Sequence, residues 1–437
     1  MKKPDRKISI LLPEDIASVN KGEAGILYGM LESFAVLGEF ELTVLSTCRD
    51  DIVNYNIAGC RVVPAPRYSD CSLLRRFQLI KAFLSLSSLS FFQVLFGRYL
   101  SEKLFSNPYF RAFISSDIII IGHDNVFGFV APNVMYFFPI VLYARLNRKK
   151  LVSYGATVGP FVRGSAVQRG ISKRLILDKI DLFTLRDRMS QDYLKALGVK
   201  HPRIELTADL AFLLKPAEER DVALFMSSKG LKPSNGLVGI TSCRFLAEQI
   251  RSLDGKYYSS FDERYDAYTS LISEIADLLI HDYGVRVLLI AHVTGPSKKA
   301  DDRPVNEDIM KKIKYREAVV IINEDLSAPL LKGIIGRTGL MIGARTHSII
   351  AASSFGVPVV GFTDEHRYKT NGIIGDQLGQ GRYLIDLTAS SADAVKSIIR
   401  EAYEKREETR RDIAARLPGI NSSVSRNGEL LLELLSE

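Results

Sequence analysis

The chain has 437 residues, of which 46% are hydrophobic and 25% are charged, and its formal net charge at pH 7 is +8. This composition is typical of a globular protein, and the length exceeds what one core usually organises, so two domains of about 200 residues each are expected. The positive charge favours acidic partners, such as phosphate ligands or an anionic membrane surface. Nucleic acid is not predicted as a partner, because the sequence contains no recognisable nucleic-acid module.

The cysteines argue against a metal site or a disulfide scaffold. Cys48, Cys60, Cys71 and Cys243 form no CxxC pair and have no nearby histidine, so neither kind of framework is predicted. The apolar run that begins at Ile8 is too short for a signal peptide. A cytoplasmic location is therefore expected.

Residues 1–214 predict a first Rossmann-like domain, because short apolar strands alternate with helical segments. The predicted strands begin at residues 8, 41, 117, 151 and 181. A first helix is predicted to follow the glycine-containing turn at residues 20–25 and to continue through Phe34. That turn lacks the GxGxxG pattern, so no dinucleotide site is predicted.

A basic, aromatic insertion is predicted at about residues 67–111. It contains seven basic and two acidic residues, and residues 82–97 form a run of sixteen uncharged positions. The run is too short and too rich in serine for a membrane-spanning helix. Two interpretations stay open: a surface helix that touches lipid headgroups or a lipid-linked acceptor, or a helical insertion packed on its own domain.

Residues 215–236 are predicted as a hinge, and residues 237–437 as a second Rossmann-like domain that ends in helices. The predicted strands of this half begin at residues 237, 285, 318, 340 and 357. Two α/β halves of similar size joined by a hinge predict a GT-B-like pair of domains that face a cleft.

Basic residues follow the predicted strands of the second half. Arg345 and His347 lie where a strand ends and a helix begins, a position at which an arginine can clamp an anion and a histidine can titrate. Arg244, His292 and Lys369 follow other strands, so we expect them at the same edge of the sheet. The alternative for each residue is a structural role, in a salt bridge or in a solvated loop.

In the first half, polar residues at strand ends are candidates for contact with a sugar acceptor. They are Glu23, His123, Asp124 and Arg186. A carboxylate or an imidazole could hydrogen bond a hydroxyl and remove its proton. The alternative interpretation is that these residues form tight turns and helix caps.

Several segments, taken in order, resemble the polysaccharide pyruvyl transferase family over about residues 15–380. The segments are NKGEA at residues 20–24, DIIIIG at 117–122, GATVGP at 155–160, RDRMS at 186–190, ADLAF at 208–212, and GARTH at 343–347 with GVP at 356–358. No single segment is specific, whereas the ordered set is.

The resemblance implies a GT-B-like fold and transfer of the pyruvyl group of phosphoenolpyruvate to two sugar hydroxyls, which gives a cyclic ketal and phosphate. It implies neither a cofactor nor a metal. The family's donor-binding arginines would correspond to Arg244 and Arg345, and its functional histidine, our candidate acid, to His347. Thr346, together with His292 and Lys369, completes the predicted donor site. The expected acceptor is a sugar of a polysaccharide or of a lipid-linked precursor, and peripheral contact with the inner face of the membrane is one alternative.

Two other functions are compatible with the sequence. A GT-B glycosyltransferase that uses a nucleotide-sugar would need a carboxylate for the ribose, for which Glu365 is available. A non-enzymatic protein that binds sugar or phosphate on the same fold is the second alternative.

Overall fold

The computed structural model shows two compact units, each made of more than one stretch of the chain. The described residues are 6–66, 72–124, 127, 135–200, 203–232, 236–250, 252–253, 256–363 and 368–437. Unit 1 contains Met1–Ser18, Met30–Asp209 and Ser423–Glu437. Unit 2 contains Val19–Gly29 and Leu210–Ser422.

Within the described part of unit 1, the strands form a seven-stranded parallel sheet in the order β3-β2-β1-β4-β5-β6-β7. The strands are β1 (Ile8–Leu12), β2 (Phe40–Ser46), β3 (Cys60–Pro64), β4 (Ile118–Ile120), β5 (Lys150–Ala156), β6 (Leu182–Leu185) and β7 (Ile204–Leu206). The central strand β4 consists of three buried isoleucines. An all-apolar strand is what a parallel sheet covered on both faces requires.

Helices precede or connect these strands. They are α1 (Lys21–Phe34), α2 (Arg49–Asn54), α3 (Ser72–Leu104), α4 (Pro108–Ser115), α5 (Phe138–Leu146), α6 (Ala166–Leu175) and α7 (Arg188–Ala196), with 3₁₀ turns at Ala35–Leu37, Met135–Phe137 and Leu177–Lys179. α7 begins at Asp187, whose carboxylate accepts a hydrogen bond from the backbone N–H of Ser190 (2.7 Å). α3 is interrupted at Gly97, where φ is 76°. Such a backbone conformation favours glycine.

Across the described residues of unit 2, a six-stranded parallel sheet has the order β12-β11-β8-β13-β14-β15. The strands are β8 (Leu237–Thr241), the short antiparallel pair β9 (Ser252–Leu253) and β10 (Lys256–Tyr257), β11 (Arg286–Ile290), β12 (Val319–Ile322), β13 (Leu340–Gly343), β14 (Val359–Thr363) and β15 (Leu384–Asp386). β8 lies between β11 and β13, so the later strands of the chain are added on both sides of β8. Ligands of open α/β sheets bind at this type of position.

The helices of the second half are mostly short and amphipathic. They are α8 (Glu219–Ser228), α9 (Arg244–Gln249), α10 (Phe261–Tyr283), α11 (Arg303–Lys312), α12 (Ala328–Ile335), α13 (Thr346–Ser353), α14 (Tyr368–Thr370) with a π-helix at Asn371–Gln377, α15 (Ala392–Glu404) and α16 (Arg406–Ser436), with 3₁₀ turns at Leu210–Leu213, Arg316–Ala318 and Gly381–Tyr383. Among the helices that can be described, none combines the length and the apolar character needed to cross a membrane.

Each unit is therefore a parallel-sheet α/β domain, as predicted, but the boundaries differ from the predicted ones. The predicted hinge at residues 215–236 contains α8 and belongs to unit 2, where the N–H of Ala217 donates to the carbonyl of Pro329 (2.9 Å). The last residues of the predicted second domain return to unit 1. There Nδ2 of Asn427 donates to the carbonyl of Ala208 (3.3 Å).

We expect that a side chain added at Gly428, near the end of α16, destabilises the protein. A Cβ at this position would lie 2.1 Å from the carbonyl oxygen of Ser33. Gly428→Ala should therefore lower the free energy of unfolding by about 1–3 kcal/mol in a urea titration.

The matched control is Gly419→Ala in the same helix, where a Cβ would meet open space. Alanine is the better helix former, so this variant should be neutral or stabilised by up to about 1 kcal/mol. Equal stabilities of the two variants would contradict the close approach of α16 to Ser33.

Candidate functional site

A group of basic residues lies at the carboxyl edge of the unit 2 sheet. We call Lys21, His292, Arg345, His347 and Lys369 the cationic cluster. Four of them follow β11, β13 and β14, whose carboxyl ends share one edge because the strands are parallel. Lys21 comes from the first turn of α1, which belongs to the same unit. Lys21, His292 and His347 line one small cavity, and Lys369 contacts His347, so these members lie close together.

His347 and Lys369 are half-buried members of the cluster that contact each other. Nζ of Lys369 lies 3.2 Å from Nε2 and 3.4 Å from Nδ1 of His347. An ammonium group can donate only to a ring nitrogen that carries no proton. Nζ is nearly equidistant from the two ring nitrogens, so the ammonium group lies against the imidazole ring. Both residues were predicted at this edge, and the structure brings them into contact.

The first turn of α1 packs directly against His347. A Cβ on Gly22 would lie 2.0 Å from Nδ1 of His347, so only a glycine fits. The side chain of Asn20 caps the helix: its Oδ1 accepts from the N–H of Gly22 (3.1 Å), and its Nδ2 donates to Oε1 of Glu23 (2.7 Å). A helix N-terminus carries partial positive charge, which adds to that of the cluster.

The structure places Glu23 in a different unit from the predicted one. The sequence predicts it on the acceptor side, in the first domain, but residues 19–29 belong to unit 2. The cause is long-range: the backbone N–H of Lys21 donates to the carbonyl of His292 (3.1 Å), which ties the start of α1 to the second sheet.

Lys21 is a member of the cluster that sequence reasoning missed. Its ammonium is buried and pairs with Asp325, which also accepts a hydrogen bond from Oγ1 of Thr294 (2.7 Å). Although burial raises the pKa of Asp325, these two donors hold it below its ordinary value. The available signal was the segment NKGEA, which was already part of the family resemblance.

His292 is present at the predicted edge, but as a neutral residue. It is 4% exposed, and its pKa lies well below the ordinary value, first because of burial and then because His347 and Arg345 are nearby. A buried imidazole beside positive groups stays unprotonated at neutral pH. His292 therefore forms a polar wall of the cluster and adds no charge.

Arg345 forms an ion pair, which was the alternative to an anion clamp. Its Nη2 donates to Oδ1 of Asp302 (2.5 Å) and to the carbonyl of Ala300 (2.9 Å), and Nε lies 3.2 Å from Oδ2. Burial lowers the pKa of Arg345, but nearby Cys243 and Asp302 raise it, and the net shift is upward. Arg345 is thus a permanent cation whose charge is largely balanced by Asp302.

Thr346 and Arg244 also make structural contacts. Oγ1 of Thr346 shares a hydrogen bond with Oγ1 of Thr370 (2.8 Å), which holds α14 and Lys369 near α13. The guanidinium carbon of Arg244 lies 4.1 Å from the ring centre of Phe261. In the described part of the chain, the contacts of Arg244 are with α10 and not with the cationic cluster.

A second residue missed by sequence reasoning, Lys332, lies behind the cluster. A small cavity of about 10 Å³, the size of one water molecule, is lined by Lys21, His292, His347 and Lys332 among others. Nζ of Lys332 donates to the carbonyls of Ala211 (3.3 Å) and Phe212 (3.2 Å). Burial lowers its pKa to about 7. The signal in the sequence was a single lysine in the apolar helix α12.

Two of the acceptor-side candidates form a buried network in unit 1. Arg186 is fully buried, and its guanidinium pairs with Asp124 (2.5 Å) and Asp209 (2.7 Å). Burial lowers the pKa of Arg186, whereas the two carboxylates raise it and prevail. For Arg186 the structure therefore favours the structural alternative. Asp124 remains one-fifth exposed at the edge of the sheet.

His123, the remaining acceptor-side candidate, pairs with Glu14. Nδ1 of His123 lies 2.8 Å from Oε2 of Glu14, whose Oε1 accepts from the N–H of Gly122 (2.6 Å). Both side chains are buried, with 2% and 8% of their surface exposed, so the pair lies inside unit 1. Sequence reasoning missed Glu14, which lies two residues beyond β1. The roles predicted for His123 and Asp124 stay predictions.

The described side chains include no group of three or more His, Cys, Asp or Glu residues placed to hold a metal ion. Glu365, the carboxylate needed by the glycosyltransferase alternative, lies outside the described residues.

Comparison with known proteins decides the family. Residues 20–366 match the sequence model of the family described as polysaccharide pyruvyl transferase. The chain belongs to the polysaccharide pyruvyl transferase family. The matched region begins at Asn20, the cap of α1, and includes every member of the cationic cluster except Lys369, which follows three residues later.

The amylovoran biosynthesis protein AmsJ of Erwinia amylovora is a curated relative of this chain. It is 24% identical over 282 residues. The match covers 62% of this chain and 62% of the relative, so this chain spans less than two thirds of the relative's length.

Solved structures establish the fold. The Anabaena protein Alr3699/HepE in complex with UDP is 12% identical and has a TM-score of 0.54, covering 99% of this chain and all of that one. The UDP-GlcNAc 2-epimerase of Methanocaldococcus jannaschii is also 12% identical and has a TM-score of 0.59, with 99% of each chain covered. The predicted fold class of this pyruvyl transferase family member, two GT-B-like α/β domains, is confirmed.

Gly22→Ala should displace the ring of His347 while the rest of unit 2 keeps its fold. Only the side chain of His347 has to move, so the expected loss of stability is about 1–3 kcal/mol. The imidazole signals of His347 in a ¹H–¹⁵N correlation spectrum should shift. Gly25→Ala, one turn later, is the control, because its Cβ would make ordinary contacts at 3.5 Å. Unchanged His347 signals in Gly22→Ala would contradict the packing of α1.

Because of Lys332, the free energy of unfolding should depend on pH above about pH 7. Its pKa of about 7 in the folded protein lies below that of the unfolded chain, 10.5, so the unfolded chain binds more protons between these values. The free energy of unfolding should therefore rise as the pH increases through this window, by about 1 kcal/mol per unit.

Lys332→Met should abolish this dependence in denaturant titrations at pH 7, 8 and 9. Lys311→Met is the control, because the side chain of Lys311 is 72% exposed. If the slope persists in Lys332→Met, another group is responsible.

Proposed function

We propose that this chain transfers the pyruvyl group of phosphoenolpyruvate to two hydroxyls of a sugar in an exopolysaccharide or its precursor, including a lipid-linked one. The products are a cyclic ketal and phosphate. The observation that carries the proposal is the cationic cluster, in which the His347–Lys369 pair lies beside the N-terminus of α1. Family membership supports a transferase, and the role of AmsJ in amylovoran biosynthesis supports a polysaccharide acceptor.

The charge of the donor matches the cluster. Phosphoenolpyruvate carries a carboxylate and a phosphate, so its pocket needs positive charge at two points. Lys369 and the N-terminus of α1 supply positive charge beside His347. Lys21 is paired with Asp325 and holds the start of α1 in place. Arg345 contributes indirectly, because its ion pair with Asp302 fixes the loop after β11.

In the first step, His347 donates a proton to the methylene carbon C3, and the first sugar hydroxyl attacks C2. The hydroxyl loses its proton to a base, so the step is a net addition of the hydroxyl across the double bond. A positioned acid of this kind contributes about 10²–10⁴-fold to a rate. Nζ of Lys369 lies 3.2 Å from Nε2 of this proposed acid.

In the second step, the C2–O bond to phosphate breaks and the second hydroxyl attacks C2. The bonding electron pair leaves with phosphate, and the proton of the second hydroxyl balances its charge. Neither step requires an external oxidant or reductant. The ammonium group of Lys369 and the N-terminus of α1 stabilise the charge that develops on the leaving phosphate.

A phosphate-release assay with phosphoenolpyruvate and a panel of glycosides tests this function. His347→Asn should lower kcat by about 10²–10⁴-fold, because the acid is lost. Lys369→Met should raise KM for phosphoenolpyruvate at least about tenfold, because a charge-assisted contact is lost.

Two exposed residues of unit 2 serve as controls. His281→Asn and Lys311→Met replace side chains that are 69% and 72% exposed, and they should leave the kinetic constants unchanged. Full activity of His347→Asn would refute the acid assignment. If no glycoside releases phosphate but UDP binds tightly, the protein is a nucleotide-sugar glycosyltransferase instead.

A further inference from the structure

Helix α3 of unit 1 presents an apolar surface to solvent. Phe91, Val94, Leu95, Phe96, Tyr99 and Leu100 are between 46% and 73% exposed. We call these six residues the α3 patch. Soluble proteins rarely leave large side chains exposed in such a continuous set, and a set of this kind usually marks an interaction surface.

The helix that carries the α3 patch is firmly attached to unit 1. Leu86 and Leu89 are buried, and Oε1 of Gln93 accepts a hydrogen bond from the hydroxyl of Tyr143 in α5 (2.7 Å). The ring of Phe92 packs on that of Phe105, with centroids 5.6 Å apart. The opposite side of α3 therefore packs on its own domain, whereas the α3 patch is exposed. For the packed side of α3 the structure favours the interpretation of a helical insertion packed on its own domain, and contact with lipid stays a prediction.

Basic side chains lie beside the α3 patch. Residues 72–111 contain six basic residues and one acidic residue, a net charge of +5. The acid, Glu102, pairs with Arg98 (2.8 Å). The ammonium group of Lys103 lies 4.5 Å from the ring centre of Tyr99. Lys103 and Arg111 are exposed, so they are available to a negative partner.

The combination of aromatic and basic side chains indicates the kind of partner. Aromatic side chains bordered by lysine and arginine suit the headgroup region of an anionic bilayer, where rings enter the interface and cations meet lipid phosphates. A second copy of the chain would instead bring like charges from the two copies together. The described helices include none that can cross a membrane, so the contact would be peripheral.

We propose that the α3 patch docks this protein on an anionic lipid surface, with α3 lying in the plane of the interface. This docking does not depend on the reaction in unit 2. It would bring a lipid-linked sugar and the protein to the same surface.

Co-sedimentation of the full chain with vesicles tests the proposal. The protein should bind vesicles of phosphatidylcholine with about one-third phosphatidylglycerol, and should bind pure phosphatidylcholine at least about tenfold more weakly. Binding should weaken as salt is added. Failure to bind the anionic vesicles would overturn the proposal.

Variants locate the contact. Leu95→Glu should reduce binding to anionic vesicles at least about tenfold, because it places a charge in the apolar interface. Leu224→Glu is the matched control: Leu224 is 58% exposed on α8 of unit 2, and its replacement should have no effect. Lys103→Glu/Arg111→Glu, which leaves the α3 patch intact, should remove the preference for anionic lipid. Equal binding by Leu95→Glu and the wild type would overturn the assignment to α3.

Two further measurements separate this proposal from other outcomes. Leu95→Glu should keep wild-type phosphate release with a water-soluble acceptor, so loss of docking and loss of catalysis are distinguishable. Sedimentation velocity should show the same oligomeric state for both proteins. A wild-type oligomer that Leu95→Glu dissociates, with no vesicle binding, would instead identify the α3 patch as a self-association surface.

Discussion

The packing of α1 against α13 in unit 2 is the contact on which the candidate site depends. Because residue 22 has no side chain, the first turn of α1 can lie on the imidazole of His347. The same turn brings Lys21 to Asp325, which is 304 positions away in the chain. Without this approach, His347 would face Lys369 alone, and neither the buried ammonium nor the helix N-terminus would reach it. One glycine therefore determines how much positive charge gathers at the edge of the sheet.

Buried carboxylates decide which basic residues can act on a ligand. Asp302 balances Arg345, and Asp209 balances Arg186, so these two arginines hold the loops at the ends of their strands. His292 is neutral because burial and its positive neighbours lower its pKa. The excess charge is thereby concentrated near His347 and Lys369. A small ligand with two negative groups is the natural complement of such a region.

The two units share the parallel arrangement of strands but carry different residues at the edges of their sheets. In each, parallel strands deliver polar residues to one edge, because consecutive strands run in the same direction. In unit 2 these residues form the cationic cluster. In unit 1 they form the Arg186 network and the Glu14–His123 pair, and the helical insertion adds the α3 patch. The chemistry assigned to unit 2 and the surface on unit 1 are thus separate properties of one chain.

The class of fold could be predicted from the amino-acid sequence, as could the sheet edge at which His347, Lys369, His292 and Arg345 lie. Both follow from local pattern: apolar strands alternate with helices, and a residue that follows a parallel strand lies at its carboxyl edge. Three features became visible in the folded protein alone: α1 begins in unit 2, Arg345 and Arg186 are paired with acids, and Arg244 lies on Phe261. The physical reason is that a basic residue at a strand end has the same local pattern whether it meets a ligand or a buried carboxylate. Its partner comes from a distant part of the chain, and only the packing of the core brings that partner close.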